Sequence, residues 1–136
     1  MSARSKARKA ALDFLYESDI RNVSADSVLK NRITDLEYQA RDYTRELVIG
    51  VCERRERIDE IISMRAKAWD LDRMPVLDRN ILRLGTYEIL WVDEVPDAVA
   101  IDEAVELAKT LSTEESPVYV NGVLSAIVEI KGDLSL

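Results

Sequence analysis

Apolar residues along this sequence recur at spacings of three and four, and runs of strand length that alternate apolar with polar are almost absent. A helix turns once in about 3.6 residues, so this spacing gathers the apolar side chains on one helical face. With four Gly and three Pro as its only strong breaks, the chain is expected to be all-α. We expect a compact domain of about six or seven helices. Its 136 residues suffice for one domain with a continuous core, without disulfides or metal.

The first helix is expected over about residues 4–20, and a short one after Ser24. A longer amphipathic segment follows over about residues 37–54, burying Leu47, Val48 and Val51. Another helix carries Ile58, Ile61 and Ile62. Pro75 opens a helix reaching about residue 91, because a missing N–H costs nothing in a first turn. Its Val76, Leu77, Ile81, Leu82, Leu84, Tyr87, Ile89 and Leu90 are too many for one stripe, which makes it the central helix. Asp97 is expected to cap the next helix, which turns Ile101, Ala104, Val105, Ala108 and Leu111 inward and ends near residue 110. Ser116 and Pro117 read as N-cap and first residue of the last helix, with Val120, Val123, Leu124 and Ile127 facing the core.

The net charge is −7, which taken alone disfavours a polyanion as partner, but the charges are unevenly placed. Residues 93–136 hold ten acids against two bases, whereas the first nine residues carry Arg4, Lys6, Arg8 and Lys9 and no acid. On a helix, Arg4 and Arg8 fall on the line that continues through Leu12 and Leu15. A face apolar in its later turns and charged in its first two cannot lie along one core, so those first turns are expected to project into solvent or toward a partner. Cations also oppose the positive end of the helix dipole, a conflict that a bound polyanion relieves. A solvated basic terminus remains the alternative reading of the same residues.

Catalytic groups are scarce. There is no His, and the single Cys52 builds neither a disulfide nor a zinc cage. No Gly-rich phosphate loop and no G-x-S-x-G turn occurs. Asp102, Glu103 and Glu106, and the pair Glu114 and Glu115, read as acids favoured in the first turns of helices rather than as a reactive set. No stretch has the roughly 18 apolar residues of a membrane span, and no signal peptide is recognisable, so the expectation is a cytoplasmic chain that does not enter a membrane.

Tyr16, Tyr38, Tyr43, Tyr87 and Tyr119 are candidates for stacking on RNA bases. Tyr16 and Tyr87 sit among apolar neighbours and are expected in the core, and Trp69 and Trp91 read as packing residues. Gly122 interrupts a helix, which suggests close approach of another backbone, and the adjacent Asn121 reads as an exposed amide beside a ligand.

Several blocks, taken in order, resemble the NusB family of transcription antitermination proteins over nearly the whole chain. They are Arg8-Lys9-Ala10-Ala11-Leu12-Asp13-Phe14-Leu15-Tyr16, then residues 77–88 with Ile81-Leu82-Arg83 and Tyr87-Glu88. Val95-Pro96 follows, then Ala100-Ile101-Asp102-Glu103-Ala104-Val105-Glu106-Leu107-Ala108-Lys109, and finally Ser116 with Val120-Asn121-Gly122-Val123-Leu124. The phrase around Trp69 is most similar to actinobacterial members. The resemblance implies a fold of two helical halves and no catalysis, cofactor or metal. It implies binding of boxA-containing single-stranded RNA together with NusE, a small-subunit ribosomal protein, within the transcription elongation complex at ribosomal RNA operons. It places Arg4, Lys6, Arg8 and Lys9 on RNA phosphates, Tyr16, Glu115, Ser116 and Asn121 at or near the RNA side, and Asp78 at the NusE side. An acidic surface facing a basic ribosomal protein agrees with this, since opposite potentials speed encounter.

Two other readings stay open. One is an RNA-binding domain of the kind fused to ribosomal RNA methyltransferases, which expects a following α/β domain with a Gly-rich loop that this sequence lacks. The other is a helical adaptor that binds only protein. Self-association into a homodimer is compatible with all three.

Overall fold

The computed structural model describes residues 1–66 and 73–136, so Trp69 and its expected packing lie outside the described residues. Seven α-helices and no strand occur among the described residues, in two compact units, residues 1–54 and 55–136.

The first unit holds α1 (Ala3–Arg21), α2 (Ala25–Leu36) and α3 (Asp42–Glu53), each packed on the other two. Ser2 caps α1 by accepting the Ser5 N–H at 3.0 Å. Asn22 ends it in the left-handed region at φ 56°, where Asn is one of the few L-residues at ease. Ala7, Ala11, Leu12, Phe14 and Leu15 of α1 meet Val28 and Leu29 of α2 and Leu47, Val48 and Val51 of α3 in one core. Glu17 of α1 accepts two hydrogen bonds from Arg32 of α2, both at 2.8 Å, and one from Arg21 at 2.7 Å. The Arg32 hydrogen bonds first, and Arg21 after them, hold the Glu17 carboxyl below its ordinary value of 4.5.

The segment expected to be helical from residue 37 starts later. Glu37 is the left-handed residue that ends α2, at φ 55°, and the Tyr38 N–H reaches back to the Arg32 carbonyl at 3.2 Å. That closure satisfies the end of α2 and turns the chain away, so α3 begins at Asp42. Apolar periodicity does not reveal it, because Glu37 carries no breaker signal.

The second unit holds α4 (Arg55–Arg65), α5 (Val76–Trp91), α6 (Asp97–Leu111) and α7 (Ser116–Ile130), followed by a short 3-10 turn over Lys131–Asp133. Helix α5 is central, with α4, α6 and α7 packed around it, and every residue from Asn80 to Leu90 is buried. Its buried polar groups therefore need partners within the fold. Arg83 finds one in Asp59 of α4, with Nε at 2.8 Å and Nη2 at 3.0 Å from the two carboxylate oxygens, while its Nη1 donates to Asn80 Oδ1 at 3.1 Å. This bidentate pair fixes α4 on α5.

Two expected caps are corrected. Asp97 is the first residue of α6, after Pro96, and its side chain makes no cap but accepts from Lys131 Nζ at 3.0 Å, tying the 3-10 turn to the start of α6. Ser116 is likewise inside α7, with Glu115 at the N-cap position, and its hydroxyl serves another purpose described below. The inward set of α6 is also shifted: Ala100, Ala104, Leu107 and Ala108 are buried, whereas Ile101, Val105 and Leu111 are only half-buried.

The glycine expected to allow close approach does not. A Cβ on Gly122 would meet nothing within 4 Å, whereas one on Gly85 would lie 2.7 Å from Leu124 Cδ1 and 3.5 Å from the Ala104 Cβ. Gly85 is thus where α5 admits α6 and α7, and Leu124 is fully buried and has no room to swing aside. Gly85→Ala is expected to lower stability by about 1 kcal/mol net, overpacking outweighing the better helix propensity. Gly122→Ala should raise it by about 0.5–1 kcal/mol. Urea denaturation of the two variants checks the opposite signs.

Candidate nucleic-acid interface

In the first unit the basic residues divide between two faces of α1. Lys6, Lys9 and Tyr16 recur on the outward face by helical spacing, whereas Arg4 and Arg8 lie on the line of the buried Leu12 and Leu15. The conflict expected for that line is resolved by Tyr43 of α3. The Arg4 guanidinium lies 4.3 Å from the centroid of the Tyr43 ring and that of Arg8 at 5.7 Å. The ring is placed by the next residue, since Thr44 is buried and its Oγ1 donates to the Ala7 carbonyl at 3.0 Å, fastening the first turn of α3 against the second turn of α1.

Arg8 is therefore not a projecting residue: it is only 3% exposed, with its guanidinium beside the Tyr43 ring. Arg4 is exposed with one face of its guanidinium laid on the ring, an arrangement that limits its rotamers while keeping its charge at the surface. Lys6 is exposed. Lys9 is partly offset by Asp13, whose carboxylate lies 2.8 Å from its Nζ. Tyr16, expected in the core, is 39% exposed two turns beyond Lys9 on the same face, and the core place falls to Phe14, which meets Tyr38 edge to face with ring centroids 5.6 Å apart. Exposed Arg41 and Arg45 add charge at the start of α3.

In the second unit the candidate residues gather at the turn between α6 and α7. Asp78, the third residue of α5, is 5% exposed, so it presents almost no surface to a partner. Its carboxylate accepts the hydroxyl of Ser112 at 2.6 Å and that of Ser116 at 2.8 Å. The Ser116 oxygen also accepts the Thr113 N–H at 3.3 Å and, its own proton being given to Asp78, the Thr113 hydroxyl at 2.8 Å. Glu114 and Glu115 are exposed on this turn. A cleft of about 850 Å³ lies against it, lined by Pro75, Asp78, Glu115, Ser116, Val118 and Tyr119 among others, with Val118 79% exposed. Burial first, and then the Asp78 charge, push the Tyr119 hydroxyl above its ordinary value. Asn121 does not line the cleft; it is exposed and accepts from Ser125 Oγ at 3.3 Å.

Sequence reasoning grouped Asp78 apart from Ser116, and the structure brings them together. It passed over Ser112, and it offered Tyr43 only as a ring on which a base could stack, not as the ring that meets Arg4 and Arg8. The signal for Tyr43 was tertiary, since nothing local ties residue 43 to residue 4. Tyr87 is buried as expected and stacks on Trp91, with centroids 6.0 Å apart. Asp102 and Glu106 are exposed on α6, and no group of three or more metal-ligating side chains occurs among the described residues. None of the described helices is long and apolar enough to cross a membrane.

An all-helical protein with a basic first helix and an acidic second unit is what the fold and charge distribution define. The family model described as the NusB family matches residues 5–129. The chain is 53% identical over 135 residues to the transcription antitermination protein NusB of a Nocardioides species, covering 99% of this chain and 100% of that protein. It is 52% identical to that of Thermobifida fusca, covering 98% of this chain and 94% of the other. Among solved structures it is similar to T. maritima NusB, with a TM-score of 0.83 and 35% identity over 98% of this chain and 99% of that one. It also matches a chain from the crystal structure of antitermination factors NusB and NusE in complex with dsRNA, with a TM-score of 0.80 and 30% identity over 93% of this chain and 96% of that one. The chain belongs to the NusB family.

The two arginines of the first helix should separate by stability. Arg8→Ala is expected to cost about 1–3 kcal/mol through diminished packing, and Arg4→Ala less than about 0.5 kcal/mol. Equilibrium unfolding in urea, followed by circular dichroism, measures both.

Proposed function

We propose that this chain is a cytoplasmic transcription antitermination factor that acts by binding, not catalysis. In this reading it takes boxA-containing single-stranded RNA together with NusE and, within the elongation complex, supports transcription of ribosomal RNA operons. The observation that carries the reading is the full-length likeness to proteins named transcription antitermination protein NusB, joined to a basic helix start whose arginine is held ready by an aromatic ring. The solved relative in complex with NusE and dsRNA supports NusE and RNA as partner classes, and the single-stranded form rests on the family resemblance.

On the RNA side, Arg4, Lys6 and Lys9 supply phosphate contacts, and exposed Tyr16 offers a ring on which a base stacks. Arg8 contributes indirectly, through Tyr43 and the placement of Arg4. Glu115, Ser116 and Asn121 belong to the RNA side through the second unit, where the Glu115 carboxylate has no phosphate affinity and acts by repelling the strand from wrong registers. The acidic surface of the second unit suits a basic ribosomal protein.

The triple variant Arg4→Ala, Lys6→Ala, Lys9→Ala tests this reading by fluorescence titration of a boxA RNA at several salt concentrations. We expect at least a tenfold loss of affinity at low salt, and a salt dependence shallower by about 0.7 in logarithmic slope for each phosphate no longer neutralised, with the melting temperature unchanged. Tyr43→Leu should lose a few-fold, by releasing Arg4. Unchanged affinity in the triple variant places the RNA elsewhere.

A further inference from the structure

Asp78 is the acid that family likeness assigns to the protein partner, yet its surroundings describe a different task. It stands in the first turn of α5, where the helix dipole favours a carboxylate. Its two oxygens are each engaged by a hydroxyl, one from Ser112 at the end of α6 and one from Ser116 in the first turn of α7, at 2.6 and 2.8 Å. These are the lengths of charge-assisted O–H···O⁻ bonds, roughly twice as strong as neutral ones. Three helix ends are thus drawn onto one carboxylate.

The connection from Ser112 to Glu115 has little else to define it. Its Ser112 N–H closes on the Ala108 carbonyl at 3.0 Å, the Ser116 N–H on the Thr113 carbonyl at 3.2 Å, and the remaining order comes from the Ser116 oxygen shared with Thr113. Thr113, Glu114 and Glu115 are exposed and contribute nothing to the core. A short exposed turn of this kind samples several backbone arrangements unless something beneath it selects one.

We propose that Asp78 is a positioning residue, which holds the Ser112–Ser116 turn in one conformation and thereby places Glu115, Ser116 and Tyr119 for RNA binding, without itself touching RNA or protein partner. This rests on the reading that the turn belongs to the RNA side. Its consequence is that the acid and the two serines act as one unit, so that losing the serines is equivalent to losing the acid.

The test compares Asp78→Ala, Asp78→Asn, the pair Ser112→Ala with Ser116→Ala, and all three alanine changes together, in the full chain. Amide hydrogen exchange at residues 112 and 116 reports the turn directly, and titrations with boxA RNA and with NusE report the surfaces. The expected result is exchange at least tenfold faster in Asp78→Ala and in the serine pair, a matching loss of RNA affinity, and less than a twofold further effect when the changes are combined. Asp78→Asn should stay within about threefold of the parent, since the amide still pairs with both hydroxyls, which can rotate to donate or accept. If Asp78→Asn or Asp78→Ala loses binding without faster exchange at the turn, or if Asp78→Ala weakens NusE binding while the serine pair behaves as the parent, then the acid acts as a direct contact and the proposal is overturned. Faster exchange with unchanged RNA affinity upholds the fastening and overturns the assignment of the turn to the RNA side.

Discussion

From Asn80 to Leu90 every residue of α5 is buried, and a helix so placed must find its charged side chains partners inside the protein. The second unit follows from this constraint. Arg83 takes the carboxylate of Asp59 and thereby orients α4. Gly85 has no side chain, so Leu124 and Ala104 can approach, which sets how closely α7 and α6 lie. Asp78, at the start of the helix, gathers the hydroxyls that close the turn between those two helices. The part of the unit that faces outward at that turn is shaped by a residue that does not.

The first unit solves a different problem. Four bases at the start of a helix oppose the helix dipole and, on one line, oppose the core. Tyr43 takes both arginines of that line, and the Thr44 bond to the Ala7 carbonyl keeps the ring where they need it. The two lysines remain on the outer face, with Tyr16 in reach of the same side. Charge that reads as a single cluster in sequence is therefore two groups with different duties, one structural in part and one addressed outward. A net charge of −7 is compatible with polyanion binding because the acids are concentrated in the other unit.

Helix number, order and most core faces were legible because apolar spacing reports them directly: Val120, Val123, Leu124 and Ile127 of α7, and the continuous burial of α5, are as periodicity implies, whereas the inward face of α6 is shifted to Ala100, Ala104, Leu107 and Ala108. The helix ends were less legible. Glu37 adopts a left-handed conformation that no composition rule anticipates, and Asp97 and Ser116, good capping residues, were drawn to Lys131 and Asp78 instead. Tertiary partners prevailed over local ones in both cases. At the candidate site, residue types were readable but their company was not. Buried Arg8, exposed Tyr16 and the Tyr43 ring beneath Arg4 all depend on how α3 meets α1, and a linear pattern carries no register between helices. Family likeness supplied the candidates, and the side-chain geometry separates those placed to touch a ligand from those placed to hold others.

The central claim, that this chain reads boxA RNA jointly with NusE, is tested most directly by titrating the parent protein with a boxA RNA and with a scrambled RNA of the same composition, each with and without NusE. The account predicts tighter binding of boxA than of the scrambled strand and a further gain when NusE is present, with NusE binding strengthened by boxA through the same factor, as linkage requires. Equal, weak binding of both strands, unmoved by NusE, would contradict it and leave the basic helix a general polyanion site on a family fold.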